Sequence, residues 1–313
     1  MIINTGGRTD TVQYYSDWLL NRFKEGFVYV RNPLFVHKVT RYDLTPDKVD
    51  CVVFCSKNYS PILDRLHEIT DRFNTYFHYT ITAYGTDIEP NVPPIEQSIE
   101  TLLKLEKIVG KNRIAWRYDP VLLTKKYTIK RHLETFDAMA KQLSPHIDRC
   151  IFSFVYPYKK LSVNMPELIP VSEKEKMLLA KGLGEISKKY NLYTQTCATG
   201  EDFEKFGIHH SGCMTSDIVG NANSIRLKNL KHKPLRKDCG CMESRDIGAY
   251  DTCPNGYRYC YANSTPKKAI ENYKTHNPNS PILLGELKDT DIIQQGQQKS
   301  FIDKYADNNL KLF

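Results

Sequence analysis

Apolar runs of strand length alternate along the chain with longer stretches whose apolar residues recur at helical spacing. Ile2-Ile3-Asn4 predicts a short first strand, ending in Thr5-Gly6-Gly7-Arg8-Thr9-Asp10, and an amphipathic helix is predicted from about Val12 to Phe23. Phe27–Val30 predicts a strand and Arg31-Asn32-Pro33 a turn. Val49–Phe54 predicts a buried strand, after which Ser60 with Pro61 offers a helix start and Ile62, Leu63, Leu66 and Ile69 give that helix one apolar face. The pattern then repeats. Phe77–Ala83 is a strand, and a helix runs from Ile95 to a stop at Gly110. Arg113–Trp116 is a strand, followed by a helix marked by Ile129, Leu133, Phe136 and Met139. Ile151–Val155 is a strand, Ser172-x-x-Glu175 is a capping box opening a helix to about Lys189, and Leu192–Thr196 is a strand that runs into Cys197.

Strands separated by helices must run parallel, because a parallel pairing needs a crossover. About six such units predict an α/β fold, a (β/α) barrel or partial TIM-like barrel, with a doubly wound open sheet as the alternative. No Gly-x-Gly-x-x-Gly follows the first strand, so the dinucleotide fingerprint is missing. After Thr196 the periodicity fades into a polar, Gly- and Cys-rich segment. The expected organisation is a barrel-like domain over 1–200 and a Cys-rich region over 201–313, packed at the barrel mouth.

In such a fold the working groups sit at the C-terminal ends of strands. Those ends offer Arg8, Asp10, Ser56, Lys57, Asn58, Tyr84, Arg117, Asp119, Ser153 and Thr196. Arg8, Asp10, Lys57, Asn58, Tyr84, Arg117 and Asp119 form a candidate site for a polar or anionic small-molecule substrate, with arginine for bidentate recognition and aspartate for hydrogen bonding or proton transfer. Polar residues are also what any strand end presents to solvent.

Composition narrows this picture. At 41% hydrophobic and 26% charged, the 313 residues can build a sizeable core. No apolar run approaches the ~18 residues of a membrane span, and the N-terminus lacks a signal peptide pattern, so a cytoplasmic protein without membrane partners is expected. Much of the net charge of +8 comes from Arg226–Lys237, which fits a solvated loop, an anionic substrate, nucleic acid, or compensation for anionic thiolates. The tyrosines are many but scattered along the sequence.

Nine cysteines in a reducing compartment do not make a disulfide framework. Cys51, Cys55 and Cys150 lie in apolar runs and read as small hydrophobes. Cys197, Cys213, Cys239, Cys241, Cys253 and Cys260 crowd into the C-terminal half. Cys239-Gly240-Cys241 is a Cys-x-Cys, and the turn Pro254-Asn255-Gly256 lies between Cys253 and Cys260. Thiolates are soft donors that select zinc or iron–sulfur clusters. His209-His210, beside Cys213, is either a further ligand or an exposed pair.

The stretch Cys241–Asn263 (CMESRDIGAYDTCPNGYRYCYAN) resembles the C-terminal signature of a bacterial domain family of unknown function, and Asn4–Asp10 and Trp116–Pro120 extend the resemblance over nearly the whole chain. In that family these cysteines resemble the Cys-x-x-x-Cys-x-x-Cys loop of radical-SAM enzymes. The resemblance implies an iron–sulfur cluster beside a (β/α) barrel, with S-adenosylmethionine on an open iron and a one-electron donor such as a ferredoxin or flavodoxin. This chain departs from it in two ways. The loop follows about the sixth strand rather than the first, and the middle cysteine is Tyr257. A [4Fe–4S] or [3Fe–4S] cluster would then need Cys253 and Cys260 plus two of Cys197, Cys213, Cys239 and Cys241. The expected function is a radical-SAM-like iron–sulfur enzyme. The alternatives are a structural zinc site of Cys239, Cys241, Cys253 and Cys260, and a nucleic-acid-binding or repair protein using residues 226–237.

Overall fold

The computed structural model describes residues 1–228 and 238–303. Its strands are β1 (Ile2–Asn4), β2 (Phe27–Arg31), β3 (Lys38–Asp43), β4 (Cys51–Ser56), β5 (Thr75–Thr80), β6 (Ile114–Val121), β7 (Arg149–Phe154), β8 (Thr194–Thr196), β9 (Ile208–His210), β10 (Ser244–Asp246) and β11 (Ile292–Gln295). Eight form one parallel sheet in the order β10-β1-β4-β5-β6-β7-β8-β9. β2, β3 and β11 make a small separate sheet in the order β11-β3-β2, whose hairpin the sequence pattern did not single out. The α/β class is therefore established. No ladder joins β9 to β10 among the described residues. Residues beyond 200 supply both edge strands of the large sheet, β9 beside β8 and β10 beside β1.

Alternation along each strand builds two faces. Val52 and Phe54 of β4, Phe77 and Tyr79 of β5, Trp116 and Tyr118 of β6 and Phe152 of β7 join the main core. Helices Ser16–Glu25, Ile95–Val109, Ile129–Leu143 and Glu173–Lys189 cover that face. Phe54 stacks on Phe77 at 4.8 Å and Trp116 on Phe136 at 4.8 Å. Each such side chain, fully buried, contributes roughly 1.5–3 kcal/mol from area alone. On the other face, Ile2, Cys51, Val53, Tyr76, Ala115 and Ile151 pack against Met214, Ile218, Val219 and Met242. The helix Ser216–Asn223 and the cysteine-bearing segments thus cover the second face.

Local signals placed most helices. Ser172 accepts from the Glu175 N–H at 3.3 Å while Glu175 accepts from the Ser172 N–H at 2.8 Å, and the helix ends at Lys189. Gly110, at φ +79, ends the helix Ile95–Val109. The helix expected from Val12 to Phe23 is interrupted at Tyr15, giving Thr11–Tyr14 and Ser16–Glu25. The helix expected after Ser60 is only a 3-10 turn, Leu63–Arg65, and one turn, His67–Thr70. There the Asn58 side chain accepts from the Ser60 N–H at 3.0 Å, and the chain continues with three-residue bonds, Ile62 N–H to Tyr59 and Arg65 N–H to Ile62. A local side-chain acceptor has set a turn where propensity pointed to a helix.

Candidate metal centre

β8 ends at Thr196, and the next residue is Cys197; β9 ends at His210, and Ser211-Gly212-Cys213 follows. Cys239 and Cys241 lie just before β10. The two edges of the large sheet therefore lead into the same group of thiols. The Sγ atoms of Cys197, Cys213 and Cys241 lie within 4.8 Å of one another. Cys213 and Cys241 are separated by 3.3 Å and Cys197 and Cys241 by 4.0 Å. Cys239, also buried, belongs to the same apolar cluster as Cys197 and Cys241.

Backbone contacts fix the segments that carry these thiols. The Met242 N–H donates to the Met214 carbonyl at 2.8 Å, tying the approach to β10 to the exit from β9. The Gln195 amide on β8 donates to the Gly212 carbonyl at 2.9 Å, and His78 Nε2 on β5 meets the Cys213 carbonyl at 2.9 Å. Gly212 passes so close to the Gly240 backbone that a Cβ there would lie 2.4 Å from the Gly240 oxygen. Only glycine permits that approach.

Electrostatics favours thiolate at this point. Cys213 is held well below the ordinary thiol range by hydrogen bonds from Cys197 and Cys241, aided by the Arg117 guanidinium. Arg117 Nη1 lies 3.5 Å from Cys213 Sγ. Its own charge is fixed by the Asp119 carboxylate and the nearby thiols, which outweigh its burial. Asp119 in turn accepts from Arg117 and from Ser153. A half-buried anionic sulfur with a half-buried cation beside it fits a metal thiolate centre.

Cys253 and Cys260 lie outside the close thiol group. Cys253 Sγ accepts from the Asn255 amide at 3.4 Å, and burial, followed by the Asp10 carboxylate, pushes its thiol up to about 12. Cys260 Sγ accepts from the Ala262 N–H at 3.3 Å. Tyr257, between them, stacks on Tyr259 at 5.6 Å and has Lys57 Nζ 5.3 Å above its ring. His209 stacks on Tyr193 and bonds Glu204 at 3.1 Å, turned to a different partner from the thiols.

The strand-end residues mostly hold one another. Asp10 caps a helix through the Gln13 N–H at 2.9 Å and accepts from Ser56 at 2.9 Å and the Lys57 N–H at 3.2 Å; burial nevertheless raises its carboxyl. Lys57 Nζ forms a buried ion pair with Glu89 at 2.9 Å and 3.0 Å, and Tyr259 donates to the same carboxylate. Asn58 makes its turn. Tyr84 donates to the Pro120 carbonyl at 2.7 Å and accepts from the Leu122 N–H at 2.9 Å. Arg8 reaches the Gly248 carbonyl at 3.4 Å and Asp246 at 3.9 Å. Of these residues, Arg117 alone is described in contact with a clustered thiol. Of the basic run, residues 229–237 lie outside the described residues; Lys228 N–H donates to the Phe301 carbonyl at 2.8 Å.

His78 and Gln195 support the centre but carried no signal beyond being polar residues within apolar strands. Gly212 looked like an ordinary loop glycine.

The family model described as "Domain of unknown function (DUF1848)" matches residues 2–262. The chain belongs to this family. The match to DUF1848 takes in all eight strands of the large sheet and every cysteine of the chain. No curated protein and no solved structure matches this DUF1848 chain. Among its described residues, no helix is long and apolar enough to cross a membrane.

Proposed function

We propose that this protein is a thiolate metalloprotein in which Cys197, Cys213, Cys239 and Cys241 hold one zinc ion, and that the ion closes a barrel-like sheet at the seam between β9 and β10. The observation that carries this is the spacing of the sulfurs. A zinc–sulfur bond of about 2.3 Å in a tetrahedron separates neighbouring sulfurs by about 3.8 Å. The distances of 3.3 Å and 4.0 Å bracket that edge, and the sulfurs of Cys197, Cys213 and Cys241 all lie within 4.8 Å of one another. A cubane cluster binds each thiolate to a different iron and spaces the sulfurs more widely. The strand order supports the barrel-like shape, since β10 returns beside β1 and the edge segments meet at Met214 and Met242. A closed four-thiolate site stabilises a fold rather than supplying an open coordination position.

A second reading places an iron–sulfur cluster at the same thiols. It is favoured by the half-buried Arg117 beside Cys213, because hydrogen bonds to cluster sulfurs tune reduction potential. A radical-SAM-like activity, with S-adenosylmethionine and a ferredoxin or flavodoxin, belongs to this reading and would need an iron left open. The loop 253–260 supplies two thiols and Tyr257 rather than three thiols.

Metal and sulfide analysis of anaerobically purified protein decides between the two. The expected result is a colourless protein with about one zinc per chain. Iron with matching inorganic sulfide and a brown colour would replace zinc with the cluster. No bound metal, with no change of melting temperature in chelator, would remove both.

A further inference from the structure

The fold gathers tyrosines that the sequence scatters. Tyr156 and Tyr158 follow β7, Tyr250 follows β10, and Tyr261 donates to the Gly7 carbonyl just past β1. All four lie beyond the C-terminal ends of parallel strands, where open and closed α/β sheets take their ligands. They form a chain of contacts. Tyr156 and Tyr158 have ring centroids 4.8 Å apart at 49°, and Tyr158 and Tyr261 lie 6.1 Å apart at 34°. Tyr261 reaches the carbonyl of Gly7, the residue before Arg8, and the Arg8 guanidinium lies over the Tyr250 ring at 5.5 Å. These rings are not turned into the core. Tyr156 is 55% exposed, Tyr261 52% and Tyr250 41%. Tyr158, half-buried against the apolar cluster around Tyr84 and Leu122, anchors the row.

We infer that the row Tyr156–Tyr158–Tyr261–Tyr250 is a stacking platform for single-stranded nucleic acid. Exposed aromatic faces at successive positions accept bases of any sequence, and cations beside them hold the phosphates. Arg8 sits at one end of the row, and the exposed Lys159 follows Tyr158 in the chain. Sugars also stack on tyrosine, but they bring no charge to match Arg8 and Lys159. The platform does not rest on the identity of the metal.

The test is fluorescence anisotropy of a labelled mixed-sequence DNA single strand of about fifteen nucleotides titrated with the full chain. Tyr156→Ala and Tyr261→Ala are each expected to weaken binding at least about fivefold, while Tyr156→Phe stays within about twofold of wild type. Because the Tyr156 ring is largely exposed, its variants should melt as wild type does, which separates lost stacking from misfolding. Three results would each overturn the inference: no binding to the strand, undiminished binding by both alanine variants, or equal affinity for the corresponding duplex. Competition by free AMP at equal nucleotide concentration, matching that of the unlabelled strand, would also overturn it, because a platform that reads successive bases gains from their linkage.

Discussion

Cys241 has two thiol neighbours at 3.3 Å and 4.0 Å, whereas Cys253 has an asparagine amide. That difference gives the first prediction. Cys241→Ser should remove most bound metal and lower the melting temperature, and Cys253→Ser should leave metal content unchanged; metal analysis with thermal melts checks both. Equal metal loss in the two variants would show that the thiols of loop 253–260 share the centre. A second prediction concerns His132. Its Nε2 meets the Leu122 carbonyl at 2.8 Å and its Nδ1 meets the Tyr118 hydroxyl at 2.7 Å, an arrangement that suits neutral imidazole. Burial depresses its basicity in the fold. The unfolded chain, with an ordinary histidine near 6.5, therefore binds more protons as pH falls below that value. Stability from this group is full above about pH 6.5 and is lost as pH drops towards the lower folded value. His132→Gln should flatten the fall in melting temperature between about pH 7 and 5 relative to wild type. An unchanged slope would assign the acid sensitivity to other groups.

Among the described residues, the segments after β9 and before β10 meet through single contacts such as Met242 N–H to the Met214 carbonyl, so one atom matters there. Gly212→Ala places a carbon 2.4 Å from the Gly240 oxygen and must push the Cys213 and Cys241 segments apart. A cost of about 1–3 kcal/mol is expected, with weaker metal retention under chelator. Ser172→Ala provides the contrast. It removes an exposed capping box far along the chain and should cost ~1 kcal/mol without any effect on metal. Melting curves with and without chelator separate the two cases. These elements also differ in how well the sequence announced them. Ser172, Gly110 and the apolar stripes mark helices through bonds made within a few residues. β9 and β10, three residues each and only partly buried, have no pattern of their own and exist because β8 and β1 offer them an edge.

At the scale of the whole molecule, Lys57 and Glu89 join the β4 end, the loop after β5 and the loop 253–260 through one buried ion pair and the Tyr259 hydroxyl. Lys57→Met should strand the Glu89 carboxylate and cost roughly 3–5 kcal/mol, measured by denaturant melts. A loss within the range of a surface substitution would mean that water reaches the pair. Lys57 sits at a strand end that the sequence offered as a substrate contact, whereas Glu89 carried no such signal. Their commitment to each other moves attention to the exposed tyrosine row and to Arg117, which faces the thiols.

Sequence alone determined the parallel α/β class, the family, the long helices such as Ile95–Val109, Ile129–Leu143 and Glu173–Lys189, and the concentration of thiols in the C-terminal half. Those features depend on periodicity, on caps and on residue chemistry, all of which act over short spans of chain. Tertiary structure decided which thiols meet, because Cys197 and Cys241 are 44 residues apart and converge only when the segments after β8 and before β10 come together. It also decided that Cys253 and Cys260 stand apart, that Arg117 lies against Cys213, and that four tyrosines share one rim. Contacts between positions so distant in sequence are set by strand order and sheet curvature, which no local run of residues encodes.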